Sequence, residues 1–168
     1  MVMLATLRRS GGIEAMARKL GAPPAMVAMA TAVLMPQLLA GMARIVRKAA
    51  GSTERADLAA GVAHLVRRLE RAGGGSLAVA VMMPEPLSPE QGRRLLADIC
   101  GTPEKLAGMI THCADEAALE RGFVSELLPL LTMLVGGYLA ARAEVLAVSD
   151  GDLATEFLLL LEMENPAG

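Results

Sequence analysis

Four residues in this sequence carry side chains that commonly bind zinc: Cys100, Cys113, His112 and the distant His64. A structural zinc site needs ligands in paired short spacings, of the Cys-x-x-Cys kind. The spacing here matches no such pattern, so both cysteines are expected to be small buried hydrophobes. A Cys-His nucleophile fails on the same ground, because nothing in the sequence places the third group that would orient the base. Asp115, Glu116 and Glu120 form an acidic cluster, with Glu116 and Glu120 on one helix face. Two carboxylates do acid–base work only in a cleft that gives them unequal environments. With Arg121 beside them, the expectation is a solvated helix face. The sequence holds no Gly-x-Ser-x-Gly elbow, phosphate loop or dinucleotide fingerprint. Gly73-Gly74-Gly75 is followed by no lysine and reads as a linker. The expectation is therefore a non-enzymatic protein with no catalytic residues, no metal and no cofactor.

Binding chemistry offers two further patterns. Ile13-Glu14-Ala15-Met16-Ala17-Arg18-Lys19-Leu20-Gly21 is similar to the first helix and turn of a helix-turn-helix DNA reader. The second helix of such a motif presents polar side chains to base edges. Here it would present Ala25, Met26, Val27, Ala28, Met29, Ala30, Thr31 and Ala32, of which only Thr31 can hydrogen-bond a base. No nucleic-acid partner is expected. The twelve methionines, among them Met16, Met26, Met29, Met35, Met42, Met109 and Met133, lie largely in apolar segments. They could line an adaptable groove, but their commoner use is to fill a core. This chain has no Trp, one Tyr and two Phe, so its core must be Leu, Ala, Met and Val.

The elements that must position these residues are helices. Ala, Leu, Met, Glu and Arg dominate, and all are good helix formers. At 168 residues and 54% hydrophobic content the chain can bury a core without disulfides or metals, and it is too apolar to be disordered. Its net charge of −2 supplies no global basic field. That value hides an asymmetry: residues 1–75 carry eleven basic and four acidic side chains, residues 76–168 five basic and fourteen acidic. The two halves, at +7 and −9, are expected to face each other within one molecule or between two copies.

Along the chain, Gly11-Gly12 starts a short helix with Ile13, Met16 and Leu20 on one face. Gly21 caps it and Pro23-Pro24 opens a second helix, reaching about Lys48, with a kink or break at Pro36. Ser52 or Thr53 caps the next, whose buried stripe is Leu58, Val62, Leu65, Val66 and Leu69, with Arg55, Arg67, Arg68 and Arg71 mainly outside it. Leu77–Met83 is assigned as helix. Ser88 caps, and Pro89 begins, a helix ending near Cys100-Gly101, and another starts at Thr102-Pro103-Glu104. A short helix is expected over Ala114–Arg121, then a long apolar one from Phe123 to about Val148 containing Pro129. Asp150 is expected to cap a last helix through Leu153, Phe157, Leu160 and Leu161.

Leu20 to Ala43 is uncharged and long enough to cross a bilayer. Gly21, Pro23, Pro24, Pro36, Gln37 and Gly41 interrupt it and Ala fills much of the rest, which favours two buried helices over a transmembrane span. In Met1–Arg9 the charges follow the apolar stretch rather than precede it, unlike a signal peptide, so a cytoplasmic location is expected.

Two segments echo each other. Ala17-Arg18-Lys19-Leu20-Gly21-Ala22-Pro23 and Ala97-Asp98-Ile99-Cys100-Gly101-Thr102-Pro103 each end one helix and begin another. Leu34-Met35-Pro36-Gln37-Leu38-Leu39 then parallels Leu127-Leu128-Pro129-Leu130-Leu131. Each half would thus be a short helix, a Gly turn, a second helix and a proline-containing apolar helix. Duplication and shared helix physics both account for this.

These blocks, with Gly12-Ile13, Met16-Ala17, Ala40-Gly41-Met42, Pro86, Pro89, Gly92, Leu95-Leu96 and Thr132-Met133-Leu134-Val135-Gly136-Gly137-Tyr138-Leu139, resemble the YidB-like bacterial family, known as domain of unknown function nine-three-seven. The resemblance spans about residues 12 to 143. Where that family usually has lysines before the second proline motif, this chain has Val124-Ser125-Glu126. The resemblance implies an all-α fold and no assigned function, and it carries no catalytic residue across.

The expected architecture is a compact all-α multi-helix bundle with proline-kinked core helices and two similar halves. Residues 1–148 form one domain with a sub-boundary near 73–76, and 149–168 are a C-terminal helix and tail. That last helix is apolar nearly all round, so its own chain or a partner must cover it. Self-association or an unidentified protein partner is expected through Phe157, Leu158, Leu160 and Leu161. A small apolar ligand held between the kinked helices, near Pro36, Pro129, Gly41 and Gly136-Gly137, is the alternative.

Overall fold

The computed structural model describes residues 2–149 and 152–163. Among them are nine α-helices and no strand: α1 Val2–Ser10, α2 Gly12–Leu20, α3 Pro24–Ala50, α4 Arg55–Ala72, α5 Ser76–Met82, α6 Glu90–Cys100, α7 Pro103–Ala117, α8 Arg121–Val148 and α9 Leu153–Leu160. The helix punctuation follows from backbone chemistry. Gly21, Gly51 and Gly101 stop α2, α3 and α6 with positive φ, a conformation that costs a residue without Cβ nothing. Thr102 accepts the Lys105 N–H with its hydroxyl, and Pro103 fills the first helical position, where no N–H is needed. Ser52 acts from just outside α4: its hydroxyl accepts the Glu54 N–H at 3.1 Å and donates to Asp57. Helix α6 starts at Glu90 with Pro89, and no side chain, in the cap position, so Ser88 does not cap it. Asp152 caps α9, accepting the Thr155 N–H at 3.1 Å. Asp150 lies outside the described residues.

Three expectations about helix boundaries change. First, α3 runs unbroken through Pro36. Pro36 sits on an exposed face, and so does Ala32, whose carbonyl loses its helical donor to the proline ring. Water can serve that carbonyl, so the helix continues. The first half therefore has one long helix where the second has two, α7 and α8, while α3 and α8 remain alike as long apolar helices with an internal proline. Second, no separate helix covers Ala114–Arg121. Helix α7 continues to Ala117 and ends on Ala118 at φ 54. Third, α1 is a helix that the sequence pattern does not signal. Its inward face is only Met3 and Leu7, two side chains one turn apart.

The core is one contiguous cluster running from Met3 to Leu161, built mainly of Leu, Met, Val and Ala, with Phe157 its one fully buried aromatic side chain. Helix α8 is its centre, with buried side chains from Val124 to Leu146. Both α3 and α8 are long and apolar enough to cross a bilayer by length and composition, yet 50% and 78% of their most apolar windows are covered by the rest of the chain. Gly73 to Gly75 form a turn inside this single core, since α5 behind them packs on α8. Lys19 ties the loop after α5 to α2, donating to the carbonyls of Met83, at 2.6 Å, and Glu85.

Helix α9 is held by its own chain. Phe157, Leu158, Leu160 and Leu161 are buried and only Leu159 points outward. Arg142 on α8 grips Glu156 through two hydrogen bonds, and Arg55 on α4 pairs with Asp152 at 3.7 Å. The four residues expected to form an interaction surface are thus interior packing in this fold. The long apolar run meets its burial requirement against α4 and α8.

Candidate functional site

The chemistry-bearing residues of the sequence do not converge. Cys100 and Cys113 are free and buried. The Cys113 thiol lies against the Ala30 carbonyl at 3.8 Å, while His112 is exposed. Among the described residues no group of three or more His, Cys, Asp or Glu could hold a metal ion. Asp115, Glu116 and Glu120 all face solvent. Burial pushes both thiols up from their ordinary ionisation, in Cys100 against the opposing pull of Arg44. A raised thiol favours the neutral form, so its contribution to stability is present below the unfolded thiol's pKa and is lost as pH rises through the folded one. We expect iodoacetamide to leave both thiols unlabelled in the native protein at neutral pH and to label both in urea, read by intact mass. Native labelling at neutral pH would contradict the burial.

Two binding alternatives are also placed. Thr31, the one side chain of the helix-turn-helix candidate able to read a base, is fully buried, and the exposed face of α3 there is Ala25, Met29 and Ala32. The glycines invoked for an apolar pocket admit neighbours instead. A Cβ on Gly41 would meet Ile99 at 2.5 Å, on Gly136 Leu95 at 3.0 Å, and on Gly137 the Ala78 backbone at 2.4 Å. Their missing side chains are filled by close packing, the ordinary state of a protein interior.

Those close approaches border a concavity among the described residues. Helices α3 and α4 form a tight hairpin, in which a Cβ on Gly61 would lie 2.2 Å from the Val46 carbonyl. Helix α6 seats on the same helix through Gly41 and Ile99. Between α4 and the α6–α7 turn, over α3, lies a cleft of about 700 Å³. Its walls carry Arg44 and Lys48 from α3, His64 and Arg68 from α4, Lys105 from α7, and a single acid, Asp98, from α6. Arg44 and Lys48 are one helical turn apart, as are His64 and Arg68, so each pair shares a face. The Arg68 guanidinium is fixed at both ends. Its Nη1 lies 2.7 Å from Asp98 Oδ1, and its Nε donates to His64 Nε2 at 3.1 Å. Arg44, Lys48 and Lys105 make no ion pair with any described residue.

The charge asymmetry of the sequence is thus resolved in part. Arg55–Asp152 and Arg68–Asp98 join the basic half to the acidic half within one molecule. The cleft concentrates what remains: four Lys/Arg against one carboxylate, on a protein whose net charge is −2.

The model of a bacterial family described as proteins of unknown function, DUF937, matches residues 3–142, which is most of the nine-helix core and every wall of the cleft. The chain belongs to this family. The match agrees with the YidB-like resemblance of the two Gly-Pro blocks, and the family's function is unknown. It ends before α9, so the family region comprises α1 to α7 and most of α8. Neither the curated proteins nor the solved structures include a match.

The cleft is not legible in the sequence, because its walls come from separate segments of the chain. Arg68 was legible as lying mainly outside the buried stripe of its helix, and the basic bias of the first half was legible as a count. What linked them to Asp98 and Lys105 was tertiary packing.

Proposed function

We propose that this protein is a non-enzymatic binding protein whose working surface is the basic cleft, and that its ligand is an anionic group on a partner. One observation carries the reading: Arg44, Lys48, Arg68 and Lys105 converge on one concavity with only Asp98 to oppose them. Four like charges side by side repel one another, so they oppose folding unless something offsets them. An anion entering the cleft relieves that repulsion. It also gains charge-assisted hydrogen bonds, which are stronger than neutral ones. No other described feature supplies a reaction. The thiols are buried and neutral, and the acidic cluster faces water. Protein–protein association remains the leading role, now through a polar surface and not through α9.

The test is direct binding of three labelled polyanions: polyglutamate, inorganic polyphosphate and a single-stranded oligonucleotide. At least one should bind at low salt and weaken as salt rises, because screening removes contacts between exposed charges. Arg44→Glu with Lys48→Glu should cut that affinity about tenfold or more. Arg8→Glu with Arg9→Glu, an equal charge change on the exposed face of α1, should leave it nearly unchanged. If no polyanion binds, or both double variants weaken binding equally, the cleft is not the site.

A further inference from the structure

Resting on this anion-binding reading, we infer that the ligand is a carboxylate-rich peptide segment, and that Asp98 holds the place of one of its carboxylates in the free protein. The cleft already shows which group it recognises. Arg68 Nη1 lies 2.7 Å from the Asp98 carboxylate, and the His64 contact at Nε fixes the guanidinium plane. A guanidinium held this way offers its fork to a planar oxyanion in a set direction. The Arg68 and Asp98 side chains are 35% and 45% exposed, so water and ligand both reach the pair. Ion pairs of that exposure are weak, and exchanging one carboxylate for another costs little.

The other cations fit the same ligand. The side chains of Arg44 and Lys48 leave α3 roughly 6 Å apart, the spacing of helical residues one turn apart. Alternate side chains of an extended peptide are spaced by roughly 7 Å. Carboxylates at alternate positions of a strand-like segment therefore reach both, with Lys105 across the cleft for a third. Ile45 and Ile99 provide an aliphatic floor beneath the charges. A nucleic acid is served less well. Binding of single strands relies on aromatic side chains that stack bases; the cleft walls carry no Phe, Tyr or Trp, and their one aromatic ring, His64, is engaged by Arg68. Nor do they carry the Asn or Gln that reads adenine edges. A lone phosphate would leave most of a 700 Å³ space unused and most of the cations apart from it.

The experiment titrates a fluorescein-labelled peptide of alternating glutamate and serine into the full chain, read by anisotropy, with an oligonucleotide of equal charge as competitor. Wild type should bind the peptide, and Asp98→Asn should bind it roughly threefold tighter, since the internal competitor is gone. Asp115→Asn, exposed near the far end of α7, removes the same charge and should change affinity little. The oligonucleotide should displace the peptide poorly. An Asp98→Asn variant that folds, by circular dichroism, and binds no tighter than wild type would refute the placeholder role. Tightening in Asp115→Asn equal to that in Asp98→Asn would reduce it to bulk charge. An oligonucleotide that outcompetes the peptide would refute the ligand class while leaving the anion site in place. Failure of the wild type to bind peptide, oligonucleotide or polyphosphate would overturn the cleft itself.

Discussion

Gly137→Ala is expected to lower stability by about 3 kcal/mol, in a molecule where the same change at Gly108 raises it. Both glycines lie inside helices, Gly108 in α7 and Gly137 in α8. On helix propensity alone, each substitution should help by up to about 1 kcal/mol, because alanine loses less backbone freedom than glycine. Their surroundings set them apart. A Cβ at position 108 meets nothing within 4 Å, so the propensity gain is kept whole. A Cβ at position 137 would lie 2.4 Å from the Ala78 amide nitrogen and 2.6 Å from its Cβ. Those atoms are backbone and the first side-chain carbon, so no rotamer change relieves the overlap. Helix α5 must move off α8, and the buried contacts of Leu77 and Val81 with the core loosen with it. Overpacking of this kind costs more than propensity returns. Urea unfolding midpoints of the two variants check this. Equal shifts, or a gain at position 137, would show that α5 is not seated on α8 as described.

Glycine also marks the limit of what the sequence discloses. Where glycine and proline act as local punctuation, the reading was good. Gly21 with Pro23-Pro24, and Gly101 with Thr102-Pro103, place the α2–α3 and α6–α7 boundaries within a residue or two, because these residues act on φ and on backbone donors one position away. Where no such residue stands, it failed. Ala118 takes a left-handed φ of 54 to end α7, and alanine gives no warning of this, so the sequence pattern predicts a separate helix over Ala114 to Arg121. Pro36 signals a kink or a break without saying which, and here the helix is not broken. Its effect depends on whether the Ala32 carbonyl can reach water, and that is a fact about the surface, not about the sequence nearby.

The cleft illustrates the same limit for function. Its walls come from positions 41 to 49, 64 to 68 and 98 to 105, three segments joined only in the packed fold. Each charge, taken alone, is an exposed or half-buried residue on a helix surface, which needs no explanation. The residues that drew attention for chemistry, Cys113, His112, Asp115, Glu116 and Glu120, fall outside it. Only Cys100 and His64 line it, the first buried and neutral, the second an acceptor for Arg68. The charge bias of the chain was a visible sign of the site. It could not separate an internal match between halves from an unfilled surface, and both turn out to be present.

Helix α9 separates those two outcomes most sharply, and Phe157→Ala should remove about 4 kcal/mol of stability. The family match stops at residue 142, yet α8 continues to Val148 and α9 folds back beside it. Ala143 and Leu146 on that extension are buried, and Phe157, one of only two phenylalanines in the chain, is fully enclosed. An aromatic side chain truncated inside a closed core loses its transfer energy and leaves a cavity that fixed neighbours collapse only in part. The N-terminal half of α9 is held, by Arg55 on Asp152 and by Arg142 on Glu156. Leu159, 55% exposed on the same helix, supplies the contrast: Leu159→Ala should change the unfolding midpoint very little. If α9 instead served as an association surface, the pattern would reverse. Phe157→Ala would then alter oligomeric state while sparing monomer stability, and sedimentation measured alongside urea unfolding distinguishes the two. A loss confined to stability would make α9 a part of the core that lies beyond the family match.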